Sequence, residues 1–329
     1  VRINGTLNGS TYTFSRKADV LHEFAAFKGT DLPVPEAAGK VDNQNLHGEA
    51  LTDYIIVTHP NFLPAAEELA NFHRQRSNMK VLVTTPQKIY NEFSSGRQDI
   101  SGIRDFVRMF YDRAGTDTAQ MPKYLLLFGD ASYDYKDRVS NNTNFVPTFE
   151  SAQSLNNLGN YCGDDFFGFL DDNENIEKTG IANTLDVGVG RLPVKSLEEA
   201  NNFVNKVKHY KSPASLGAWR LSATIIADNE DGAGPHMEDG EIMDATVQAN
   251  SNIYNATKVY QDAIPMVSTP GGTRAPDANK MINDQVFKGT LLLNYSGHGN
   301  TEVLTHERII TQDDWNSWLN FGKMSFSGT

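Results

Sequence analysis

Cysteine is almost absent: Cys162 is the one thiol in 329 residues. A single cysteine excludes an internal disulfide, a multi-thiolate zinc site and an iron–sulfur cluster. It also limits thiol catalysis within these residues to one candidate. Positive charge is scarce as well. Lys and Arg total 29 against 41 Asp and Glu, a formal net charge of −12. Nucleic acid and anionic lipid both select a local excess of basic residues, so neither is expected as a partner. No apolar run approaches the roughly 18 residues of a membrane span. Val1 opens the chain without the charged start and apolar core of a secretory signal, so the sequence reads as a mature or trimmed product. Zinc-ligand spacing, a P-loop and a glycine fingerprint after the first strand are missing too.

What remains is ordinary globular material, 39% apolar and 21% charged, enough for a large core. At roughly 150 residues per domain the length suggests about two domains, or one large α/β domain with an appendage. Residues 1–49 form a short β-rich extension and linker: Arg2–Thr6 and Ser10–Phe14 alternate like strands around an Asn-Gly turn signal, and Gly29–Gly48 is irregular. From Thr52 the texture changes. Asp53–Thr58, Lys80–Thr85 and Tyr124–Phe128 are short apolar runs, the mark of strands buried on both faces. Helical spacing separates them over Ala65–Met79, from Thr85 with Pro86 at the first position, and over Ser101–Ala114. After a long loop, Asp130–Thr184, a strand at Leu185–Leu192 and a helix at Leu197–Tyr210 follow. A second unit repeats the pattern: strands at Ala223–Asp228, Asn255–Tyr260, Thr290–Tyr295 and Lys323–Ser327, with helices at Glu238–Ala249, Asp277–Phe287 and Asp313–Leu319. Strand–helix alternation with apolar strands predicts parallel sheets covered by helices.

Catalytic and ligand groups in open α/β sheets lie beyond the carboxyl ends of strands. One strand runs into Ser296-Gly297-His298-Gly299-Asn300. A histidine between two glycines there can serve as a general base, with the Gly299 N–H as an oxyanion donor; the plainer reading is a turn. The strand ending at Ala227 leads into Asp228-Asn229-Glu230-Asp231-Gly232. One of these carboxylates could orient His298 as the third member of a triad, or the segment is a solvated acidic loop. His236 and Glu241 follow closely enough to line the same cleft. Asp130, also just past a strand, could shape a substrate groove. Asp171-Asp172-Asn173-Glu174 offers oxygen ligands suited to Ca²⁺, without EF-hand spacing, so calcium is permitted and no cofactor is required. Cys162 has no local helix N-terminus or cation to lower its pKa, and its neighbours Asp164 and Asp165 would raise it, so it reads as structural.

Asp53–Thr58, Ile89–Gly96, Gln98–Ile100, Tyr124–Asp130, Asp164–Gly168 and Gly190-Arg191-Leu192-Pro193 together resemble the gingipain-related cysteine peptidases, the C25 group. Asn294–Gly299 is similar to the catalytic-histidine motif of that group. The whole set resembles its PorU-like branch, the surface sortase and signal peptidase of the type IX secretion system. The resemblance spans residues 46 to 329. It implies an α/β, caspase-like fold of doubly wound sheets in two side-by-side subdomains, 50–214 and 215–329. It implies a Cys–His dyad assisted by an acid. His298 falls on the catalytic histidine and Gly299 on the oxyanion donor. Glu230 most nearly matches the assisting acid, with Asp228 as competitor, and Glu241 or His236 falls near the specificity pocket. No metal-ligand set is assigned. The family's cysteine would come directly after Thr329, so the resemblance implies that these 329 residues alone are inactive. Implied partners are peptide or protein substrates, the C-terminal signal regions of secreted cargo and other secretion components; the implied location is the outer-membrane surface or the medium. The rival expectation is a non-catalytic peptide-binding or scaffold protein that keeps the peptidase fold.

Overall fold

The computed structural model describes residues 3–28, 30, 32, 34, 39–153, 155–156, 159–178, 183–230, 234–318 and 324–328, the last by backbone alone. Two compact units emerge, Val1–Gln44 and Asn45–Thr329. The first holds a hairpin of β1 (Thr6–Asn8) and β2 (Thr11–Thr13), turning at Gly9 with φ +62°. Much of the linker stretch Gly29–Gly48 lies outside the described residues.

The second unit contains two four-stranded sheets, both entirely parallel. The first is built from β3 (Tyr54–Thr58), β4 (Val81–Thr84), β5 (Tyr124–Phe128) and, after a two-residue hairpin of β6 (Phe149–Glu150) with β7 (Cys162–Gly163), β8 (Gly188–Leu192). Its helices are α1 (Leu63–Ser77), α2 (Pro86–Phe93), α3 (Ile100–Ala114) and α4 (Leu197–Tyr210). Thr85 caps α2 by accepting the Lys88 N–H, with Pro86 at the first helical position, as the Thr-Pro pair predicts.

The second sheet takes β9 (Ser222–Ala227), β10 (Asn255–Tyr260), β13 (Thr290–Ser296) and β16 (Met324–Gly328). Between them lie α5 (His236–Asn250), the hairpin β11 (Val267–Thr269) and β12 (Gly272–Arg274), α6 (Pro276–Lys288), the hairpin β14 (Val303–Leu304) and β15 (Ile310–Thr311), and α7 (Gln312–Ser317). The two small hairpins were not expected from the sequence. Strands of two or three residues are too short for an alternation pattern to register. Leu319, at the expected end of the last helix, and Lys323 lie outside the described residues, as do Asp231, Gly232 and Thr329.

Period-two alternation explains why the strands read as continuous apolar runs. Ile55, Val57, Leu125 and Leu127 face a core with α2 and α3; Ile56, Leu126 and Phe128 face the opposite core with α1 and α4. In the second sheet Ile226, Leu293 and Tyr295 pack with α6, while Ile225 and Ala227 pack on the α5 side. The two sheets share one strand order. The first runs β4-β3-β5-β8 and the second β10-β9-β13-β16, each being second-first-third-fourth in chain order. In such a sheet the connections leave the first and third strands in opposite directions, which opens a crevice at their carboxyl ends. For the second sheet that crevice lies beyond Ala227 and Ser296, which pair in register.

Arg191, in β8, ties the long segment after β5 to the first sheet. Its guanidinium donates to both oxygens of Asp164 at 2.7 and 2.8 Å, and to the carbonyls of Gly129, Val146 and Pro147. All five donors are used by a side chain that is 14% exposed. Lysine cannot reproduce that planar fork. Arg191→Lys should lower the unfolding free energy by about 2–3 kcal/mol, seen in denaturant titration as a lower midpoint with an unchanged slope.

Candidate active site

Two strand ends and one tight turn make the site. Asp228 directly follows β9 and is 3% exposed. Its backbone N–H donates to the Ser296 carbonyl at 2.9 Å, extending the β9–β13 pairing into the loops. Three N–H groups converge on its carboxylate and offset the burial of the charge. Oδ1 accepts from the Asn229 N–H at 2.8 Å; Oδ2 accepts from the His298 N–H at 3.1 Å and from His298 Nδ1 at 3.0 Å. A carboxylate can only accept, so the Nδ1 proton is placed on the Asp228 side and the lone pair of the neutral ring on Nε2. His298 is 43% exposed at its side chain, so a substrate can reach it.

Gly297 makes this possible. Its φ is +154°, a backbone conformation that glycine favours. A Cβ there would stand 2.3 Å from the Asp228 Cβ and 2.4 Å from the Tyr295 hydroxyl. The glycine therefore lets Asp228 and His298 close on each other across the two strand ends. The Tyr295 hydroxyl donates to the His298 carbonyl at 2.5 Å. Burial, with the Asp228 charge added, pushes this phenol above its ordinary pKa, so it stays a donor at all ordinary pH values.

Gly299 pairs with Leu304 in an isolated antiparallel bridge. The flanking bonds are Thr305 N–H to the His298 carbonyl, 2.9 Å, and Asn300 N–H to the Val303 carbonyl, 3.0 Å. This is the pattern of a non-hydrogen-bonded pair, in which the central residue's own N–H points away from its partner strand. Gly299 also lines a cavity of about 570 Å³ with His236, Asp239, Ser296, Gly297 and Leu304. The His236 imidazole and Gly299 thus border one concave space, and the His298 ring stands beside it, 5.1 Å from that of His236; a base close to a free backbone N–H is what general base and oxyanion chemistry requires.

The crevice gathers Asp228, His236, His298 and Gly299 from the residues expected by sequence. It leaves the others elsewhere. Glu230 is exposed, its backbone N–H donating to Asp262 at 2.8 Å; the chain has already turned away from His298 by that point, and Asp228 occupies the contact. Glu241 is on α5 but faces β10, where Lys258 holds its carboxylate with both oxygens at 2.9 Å and below the usual carboxylate range. It does not line the cavity. Asp130 lies two residues past β5 in the first sheet, where it accepts from the Thr143 hydroxyl at 2.6 Å and lies 3.6 Å from Lys195. Asp239 was missed, yet its signal was present: it falls three residues after His236, on the same helix face. Its Oδ2 accepts from the Ser296 hydroxyl at 3.1 Å, which fixes a carboxylate in the cavity wall.

Cys162 is exposed and paired opposite Glu150 in the β6–β7 hairpin. The Asp171–Glu174 oxygens are engaged by protein donors: Asp172 by Arg108, Asp171 by Tyr111, and Glu174 by the N–H groups of Asp171 and Thr184. No helix among the described residues is long and apolar enough to cross a membrane.

The profile of peptidase family C25 matches residues 48–328. Over 65% of its length the chain is similar to the crystal structure of dimeric latent PorU from Porphyromonas gingivalis, at 31% identity and TM-score 0.51, and covers 23% of that chain. It also resembles the crystal structure of the Arg specific cysteine proteinase gingipain R, at 17% identity and TM-score 0.60, over 87% of this chain and 55% of that one. The complex of Porphyromonas gingivalis RgpB pro- and mature domains aligns at 18% identity and TM-score 0.59, over 83% of this chain and 54% of that one. At those identities the last two bear on fold alone. The chain spans about a quarter of the PorU chain and about half of the gingipain chains. No curated protein sequence matches it significantly.

Proposed function

This chain belongs to peptidase family C25, with the gingipain-like, caspase-like α/β fold, and from that premise we propose that it carries the base, the orienting acid and the oxyanion donor of a cysteine-type acyl transfer. The observation that supports this most is the Asp228–His298 contact at the crevice of the second sheet, with Gly299, the next residue, lining the adjoining cavity. A thiol gives its proton to His298 Nε2 and attacks the scissile carbonyl carbon. Asp228 stabilises the imidazolium and keeps the ring in its tautomer. The Gly299 N–H meets the oxyanion, and the His298 proton goes to the leaving amine as the acyl-enzyme forms. Water or an amine acceptor, deprotonated by the same ring, then releases the acyl group.

The nucleophile in this reading is a cysteine following Thr329. β16 runs parallel to β13 with Gly328 opposite Asn294, so the register directs the next residues to the same sheet edge as His298. The 31% identity to PorU supports the finer reading: an exported sortase that removes C-terminal signals from secreted cargo at the cell surface, working with other secretion components. Asp239 in the cavity wall would favour a basic side chain on the substrate.

Labelling the full-length protein with a thiol-directed peptidyl acyloxymethyl ketone, followed by peptide mapping, tests the assignment. The adduct is expected on a cysteine directly after Thr329. An adduct on Cys162 would reject the assignment. A folded protein that takes no label at all would favour the non-catalytic peptide-binding reading instead.

A further inference from the structure

The crevice holds a second imidazole that acyl transfer leaves without a role. His236 opens α5, and its ring stands edge-on to that of His298, 87° between planes and 5.1 Å between centroids. Its Nε2 is buried and has no hydrogen-bond partner among the described residues. A buried polar nitrogen left unsatisfied is destabilising, so its placement calls for a ligand. Asp228, His236 and His298 each offer one ligand atom, and the three atoms lie within 4.8 Å of one another. They form the one such group among the described residues.

We infer that Asp228, His236 and His298 form a binding site for a transition-metal dication of the zinc class. Two imidazoles and one carboxylate are the donor set that zinc accepts with a fourth position open to solvent, whereas magnesium and calcium select oxygen ligands. Zinc bonds of about 2.0–2.2 Å place neighbouring ligand atoms roughly 3.3–3.6 Å apart. Small side-chain rotations bring the three groups to that spacing, and the exposed face of His298 provides the entry path. A bound cation would engage His298 and withdraw it from proton transfer. The site therefore doubles as a reversible brake on whatever chemistry His298 performs. The inference rests on the geometry of the three side chains and not on the peptidase reading.

Isothermal titration of zinc chloride into the 329-residue chain near neutral pH tests it, with cobalt(II) absorption reporting coordination. One equivalent should bind, and cobalt should show the intense visible bands of a four-coordinate site. His236→Ala should weaken binding by about 100-fold or more, Asp228→Asn should weaken it too, and Glu241→Gln should leave it unchanged. Failure of the parent chain to bind saturably would overturn the inference. So would full affinity in His236→Ala with a native melting curve. If His236→Ala does not fold, an octahedral cobalt spectrum in the parent chain, or undiminished affinity in Asp228→Asn, overturns it equally. No turnover enters these readouts, so this inference and the peptidase reading fail separately.

Discussion

Replacing His298 by alanine in the full-length protein should lower kcat/KM for acyl transfer by on the order of 10⁴-fold, while the melting temperature moves by no more than a few degrees. The two effects separate because of how the residue is held. Its backbone does the structural work: the N–H donates to Asp228, and the carbonyl accepts from Tyr295 and Thr305. Alanine keeps all three bonds. The ring is 43% exposed and contributes little burial, so its removal takes away the base without opening a cavity. A Michaelis constant that stays near the parent value, with the loss concentrated in kcat, would show that the ring acts in the transition state and not in binding.

The second large effect concerns the acid. Asp228→Asn should lower kcat by roughly 10³–10⁴-fold, and Glu230→Gln should change it by less than about threefold. Asparagine nearly preserves shape, and its carbonyl can still accept from His298. It removes the charge that stabilises the imidazolium, and its amide can donate to Nδ1, which would turn the ring to the wrong tautomer. Among the described residues Glu230 makes no contact of this kind. Steady-state kinetics on both variants, with the melting curve of each as a control, decide between the two residues. A loss in Glu230→Gln matching that in Asp228→Asn would contradict the geometry.

Much of this site was legible as strand ends. The apolar runs at Ile55–Val57, Leu125–Leu127, Ile225–Ala227 and Leu291–Leu293 mark parallel strands, and polar residues directly beyond such runs sit at the functional edge. That logic found Asp228 and His298. It equally selected Asp130, and the shared topology explains why. Gly129 and Gly297 both have φ +154°, each just past the third strand of its sheet. Asp130 therefore occupies in the first sheet the position that His298 holds in the second. Strand-end position alone does not separate the two sheets; the Asn294–Gly299 motif points to the second, and the groups that face each end differ, Thr143 and Lys195 in one case and Asp228 in the other.

The choice between Asp228 and Glu230 was open for a related reason. Two carboxylates two residues apart in a glycine-rich loop look alike until the backbone direction is known. The Asp228 N–H to Ser296 carbonyl bond sets that direction, and it joins segments 68 residues apart. Glu241 and Asp239 differ by two residues on α5, about 200° of helix rotation. That rotation puts one on the cavity and the other on Lys258. The phase of the helix was available from His236, but only with knowledge that His236 faces inward.

The most direct test of the central claim, that Asp228 and His298 act as one unit, is a double-mutant cycle on kcat/KM in the full-length protein with Asp228→Asn, His298→Ala and the pair. Acting through the ring, Asp228 has nothing left to support once His298 is gone. The double variant should then match His298→Ala within about threefold. A double variant slower than His298→Ala by the full factor seen for Asp228→Asn alone would mean that the two residues work independently, and the account given for the site would be wrong.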